Sequence, residues 1–135
     1  MPADRTTAAD PQQQLAQAEA YLQTSVAPQA GAIDRDARAL KAALQGLGDR
    51  ELLALRVPPS WGGAGFDATA FWQFGAMVAR HSGALAFLQA QHQSAAAAIA
   101  GSSNESLSMR TCRAWLGARR CWGLGFRTCD ARASP

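Results

Sequence analysis

A single lysine (Lys41), a single tyrosine (Tyr21) and two histidines are spread over 135 residues, and no cysteine precedes Cys112. These scarcities exclude a good deal. Without thiols before position 112, most of the chain can hold neither a disulfide framework nor a cysteine zinc site. Cys112, Cys121 and Cys129 stand nine and eight positions apart, which fits no common zinc pattern, and three is an odd number for a closed disulfide set. His81 and His92 are eleven positions apart, too far for an i, i+4 metal pair. Apolar runs are short. Runs such as Ala95 to Ala100 fall well below the roughly 20 residues a membrane helix needs. Met1 to Asp10 has no apolar stretch of the kind a secretory leader carries, so a cytoplasmic protein is expected. Nowhere do apolar and polar residues alternate as they do in a half-buried strand.

What is present fits one globular domain: 48% of residues are apolar and 17% charged. The net charge of +3 is unevenly placed. Residues 1–107 carry seven Lys and Arg against nine Asp and Glu, a net of −2, whereas residues 108–135 carry six Arg against Asp130, a net of +5. All the cysteines and two of the four tryptophans, Trp115 and Trp122, also lie in that last segment.

The body reads as helices. Asp10 and Pro11 form an N-cap and first-turn pair, after which Leu15, Ala18, Leu22 and Val26 fall on one face. Pro28 and Gly31 mark a loop from Ala27 to Gly31. Asp34 or Asp36 caps a second helix with Ala37, Leu40, Leu44 and Leu47 as its apolar stripe, ended by Gly48. Asp67 caps a third, carrying Phe71, Phe74, Met77 and Val78, which Ser82 and Gly83 break. A fourth runs from about Ala84 to Ala100 with Leu85, Leu88, His92, Ala95 and Ile99 on one side. Gly101 stops it, and Ser103-Asn104-Glu105 opens a fifth. The expected fold is all-α, a bundle of four to five helices. Residues 1–9 are expected as a disordered N-terminus, 10–107 as the helical domain, and 108–135 as an irregular tail without a domain.

Between the second and third helices lies LGDRELLALRVPPSWGGAGF, from Leu47 to Phe66. Leu52, Leu53, Leu55 and Val57 are apolar, Pro58 and Pro59 prevent helix, and Gly62, Gly63 and Gly65 let the chain turn back sharply. GGAG lacks the Gly-Lys-Ser/Thr ending of a phosphate loop and follows no strand, so a tight turn between helices is the better reading. Ser82 and Ser94 lack the context of a nucleophile.

LLALRVP followed by WGGAGF resembles the "GLLGLxVPexyGGxG" segment of acyl-CoA dehydrogenases, in their N-terminal helical domain. The resemblance extends through DRDARALKAALQGLGD before it and VARHSGALAFLQAQHQSAAAAIAGSSNESL after it, from about Ala32 to Leu107. It implies an FAD-dependent flavoenzyme that oxidises the Cα–Cβ bond of acyl-CoA thioesters, with a glutamate base taking the α-proton and the β-hydrogen leaving as hydride to the flavin. It also implies a family that is often homo-oligomeric. The family carries the base in its C-terminal helical domain, and most flavin contacts come from there and from the β-domain. No residue of this chain receives either role, and a truncated fragment, inactive alone and without bound FAD, is expected. By the same resemblance the helix Ala84–Ala100 is one wall of the acyl-chain pocket, with Leu88, His92 and Gln93 as its candidates. Packing within the bundle is the plainer reading of Leu88 and His92, and Gln93 could as easily be solvated.

The tail differs in kind. It has no helical period and an excess of Arg, Cys, Trp and Gly, as GC-rich DNA gives when read out of frame. With free third bases chosen favourably, and if one base has been lost near the codon for Ser108, the other frame can encode NESLKHAYLPRMARGEALLGVGFSHLRR. The glycine across Trp122-Gly123 is forced. That hidden sequence resembles the family's continuation, a "YLPxxAxGE" helix end leading into the β-domain. The alternative is a small helical module whose tail meets nucleic acid or an acidic partner, with Arg113, Arg119, Arg120 and Arg127 on phosphates and Trp115 and Trp122 stacking on bases. The acidic body and the lack of a recognised module weigh against it.

Overall fold

Asp10 opens the first helix as its sequence signals. Its carboxylate accepts a hydrogen bond from the Gln12 amide at 3.0 Å, and Pro11 occupies the first turn, where no N–H is needed. This helix, α1 (Pro11–Tyr21), is seen in a computed structural model that describes residues 10–104 and 106. Among the described residues the chain is all-α, as expected, with no strand. The expectations for 1–9, for most of the fifth helix and for the tail, with its cysteines, arginines and tryptophans, lie outside those residues.

Leu15, Ala18, Leu22 and Val26 are all buried. The helix nevertheless changes character between them: Leu22–Val26 widens into a π-helical turn, closed by the Ala27 amide donating to the Leu22 carbonyl. The segment from Ala27 to Gly31, expected as a loop, is helical too. It forms a 3-10 turn, Ala27–Gln29, and a single α-turn, α2 (Ala30–Ile33). Pro28 fits because it enters at the start of a new turn, where its missing N–H and fixed φ cost nothing.

Asp36, not Asp34, caps α3 (Ala37–Asp49), accepting from the Arg38 amide at 2.9 Å. Leu44 and Leu47 are buried as expected and Leu40 partly so, but Ala37 is exposed and Ala43 takes its place in the core. Full burial is confined to the second half of the helix, while Ala39 and Leu40 of the first turn pack at the edge of the core. Gly48 does not end α3. The chain turns three residues later at Glu51, whose φ is 61°, as the Leu52 amide returns to the Leu47 carbonyl at 2.9 Å. A left-handed conformation costs an ordinary residue about 1–2 kcal/mol, partly offset in glycine by its larger backbone entropy. Glu51→Gly should therefore raise stability by about 0.5 kcal/mol, read as a higher urea midpoint. A lowered midpoint would mean that the glutamate side chain holds the turn.

After Glu51 the chain runs through Leu52, Leu53, Leu55 and Val57, all buried. It then reverses as expected at the glycines. Pro59–Trp61 is a 3-10 turn, and the returning limb is tied to the outgoing one by Ala64 to Ala54 at 3.0 Å, Gly65 to Val57 at 2.9 Å and Phe66 to Leu55 at 2.7 Å. Gly62 and Gly65 have φ of 86° and 64°, the left-handed values that glycine takes without strain.

Asp67 caps α4 (Ala68–Ala79), accepting from the Ala70 amide at 2.8 Å. Phe74 and Val78 are fully buried, with Phe71 and Met77 packed at the edge of the core. Ser82 then caps α5 (Gly83–Ala100), its hydroxyl accepting from the Leu85 amide at 3.1 Å. The α5 stripe differs from the expected one. Leu85, Gln89, Gln93 and Ala96 face the core, while Leu88, His92 and Ile99 form a half-buried flank and Ala95 is exposed. At about 100° per residue the true face is turned by less than a third of a circle from the apolar stripe, because two glutamines occupy it. α5 packs on α4 and α3, and α4 on α1. Gly101 ends α5 with its amide on the Ala97 carbonyl. Among the described residues no helix is long and apolar enough to cross a membrane.

Candidate functional site

Gln93 lies at the centre of the domain, fully buried. Its Nε2 donates to the Leu52 carbonyl at 3.1 Å and to Gln89 Oε1 at 2.9 Å, and its Oε1 accepts from the Leu55 amide at 2.9 Å. A buried amide is tolerated when both donors and its acceptor are used, and here all are. The arrangement fastens the apolar limb of the hairpin to the middle of α5. Gln93 thus faces inward, toward Leu52 and Leu55, and Gln89 supports it from one turn earlier.

Leu88 and His92 are one turn apart on the half-buried flank, so the structure brings these two candidates together and sets Gln93 on the neighbouring inner face. Burial pushes the His92 imidazole down from 6.5 to about 4, and it is neutral at physiological pH. The linkage has a definite sign. Below pH 6.5 the unfolded chain takes up a proton at this position that the folded chain refuses, so folding weakens as pH falls from 6.5 toward 4. A His92→Gln variant should lose that part of the acid sensitivity. Urea midpoints of the two proteins at pH 7.5, 6 and 5 test it: the difference between them should change with pH, and a constant difference would contradict it.

The opposite end of α5 is held by a residue that no sequence signal singled out for this task. Asp34 follows α2, yet its Oδ1 accepts from the Ser82 hydroxyl at 2.5 Å and from the Ala84 amide at 3.2 Å, across 48 and 50 positions of chain. The Ser82 hydroxyl, and after it the Ala84 amide, hold the Asp34 carboxyl below the usual carboxylate range. A negative charge at a helix N-terminus is also favoured by the helix dipole. Ser82 was legible as a cap; its distant carboxylate partner was not.

A concavity of about 450 Å³ opens between α1 and the end of α3, lined by Gln17, Ala20, Tyr21, Thr24 and Arg50. Several of its polar groups are spent on the backbone. The Tyr21 hydroxyl donates to the Ala43 carbonyl at 2.9 Å, Thr24 Oγ1 to Ala20 at 2.7 Å, and Arg50 Nη1 to Gly46 at 2.9 Å. The Arg50 guanidinium stacks 4.1 Å from the centre of the Tyr21 ring. Burial raises the Tyr21 pKa, which keeps the phenol a hydrogen-bond donor and not a base. No convergent set of free groups results. Among the described residues no group of His, Cys, Asp and Glu is placed to hold a metal ion.

The glycine hairpin does not form a cradle for a nucleotide phosphate. Its amides are already committed: Gly62 to Pro59, Gly63 to Pro58, Ala64 to Ala54, Gly65 to Val57 and Phe66 to Leu55. A phosphate site needs amides directed outward. These residues do not fit that role.

The fold and this site define an all-α domain whose last long helix is tied to a glycine hairpin through one buried amide. The chain matches the family model described as acyl-CoA dehydrogenase, N-terminal domain, over residues 9–115, and it belongs to that family. The matched span takes in all of α1 at one end and runs past Leu107 into residues 108–115 at the other. No curated protein and no solved structure matches the chain.

Proposed function

We propose that this domain is one wall of the acyl-chain pocket in an FAD-dependent acyl-CoA dehydrogenase, and that residues 108–135 are an out-of-frame reading of the same gene. The observation that carries the first part is the family match over residues 9–115, joined to a helix that keeps a partly open flank of Leu88 and His92 beside a rigidly held core. Full-length members of the family use FAD, and the family implies an acyl-CoA substrate. No flavin contact is assigned to a residue described above. Leu88 supplies apolar surface to an acyl chain. His92, neutral because burial has lowered its pKa, adds a polar edge without a charge that would have to be desolvated. Gln93 has a positioning role, holding the hairpin and α5 in register.

The support for the second part is composition: the basic charge, the cysteines, Trp115 and Trp122 all belong to the segment whose other frame, with third bases chosen favourably, can encode a family-like sequence. Sequencing the genomic DNA from the codon for Gly101 through several hundred bases beyond that for Pro135 tests it. The expected result is a second frame that opens near the codon for Ser108 and runs on into the β-domain and helical domain of an acyl-CoA dehydrogenase. If neither frame continues the family's sequence, the proposal for 108–135 is wrong. The chain as printed is expected to purify without bound FAD, and stoichiometric flavin absorbance would contradict the assignment of no flavin contacts to it.

A further inference from the structure

We draw no further inference here: the strongest candidate, the surface of α4 and α5 that leaves Trp72 77% and Phe87 68% exposed, carries nothing because no feature of the structure shows what covers it.

Discussion

Gln93→Ala is expected to destabilise the domain by about 3–5 kcal/mol, the largest effect of any single truncation on α5. Two contributions add. The Leu55 amide and the Leu52 carbonyl lose their partner in a water-free interior, at about 1–3 kcal/mol for each buried group left unpaired. Gln89 Oε1 loses its donor as well, and the deleted side chain leaves a cavity. Domains of this size are stable by only about 5–15 kcal/mol, so the variant should show a broad, early urea transition or none. Gln93→Leu separates the two contributions. It restores most of the volume but none of the hydrogen bonds, and should recover only the cavity part. A loss below about 1 kcal/mol in Gln93→Ala, by far-UV circular dichroism in urea, would mean that the glutamine does not bridge hairpin and helix in solution.

Gly63→Ala should be nearly as damaging, for a steric reason. A Cβ at this position would lie 2.1 Å from the Val57 carbonyl oxygen and 2.4 Å from the Val57 Cβ. Neither atom can swing away: the carbonyl accepts from Gly65 in the neck of the hairpin, and the Val57 side chain is buried. The added methyl must therefore pry the two limbs apart, at a cost of about 2–4 kcal/mol. Gly75→Ala is the matched control. It adds the same methyl inside α4, where nothing lies within 4 Å of the new atom, and a helix-interior alanine should gain up to about 1 kcal/mol. Opposite signs for the two variants in one denaturation series are the expected result. Equal small effects would show that the hairpin opens easily and that the close approach does not constrain it.

Much of this architecture was readable before any coordinates. The caps at Asp10, Asp36 and Asp67 are local devices, each a side chain reaching an amide two or three residues on, and short-range chemistry leaves a clear trace in sequence. The proline and glycine punctuation around Trp61 located the reversal for the same reason. The errors came from longer-range physics. Pro28 and Gly31 look like loop residues in isolation, but a π-turn before them lets the helical path restart instead of stopping. Glu51 adopts a glycine-like backbone because the buried run from Leu52 onward fixes where the turn must fall. On α5 the hydrophobic period pointed to Leu88 and His92 as inward residues beside Leu85, whereas Gln89 and Gln93 lie inward with Leu85, and the burial of Gln93 depends on a donor and an acceptor about forty positions away. Periodicity counts apolar residues and cannot see a satisfied amide. The three candidates named from the sequence all lie on α5, and the structure separates buried Gln93 from the half-buried flank of Leu88 and His92.

The bond from Ser82 to Asp34 bears on how the domain comes apart. The first turn of a helix is ordinarily where fraying begins, since its amides lack partners along the chain. In α5 that turn is anchored to a carboxylate at the corner between α2 and α3, and the middle of the same helix is anchored to the hairpin. The first turn of α5 therefore cannot loosen without breaking its bonds to that corner. The corner after α2, the hairpin and α5 are expected to unfold together, with the flank of Leu88 and His92 keeping its shape as long as both ties hold.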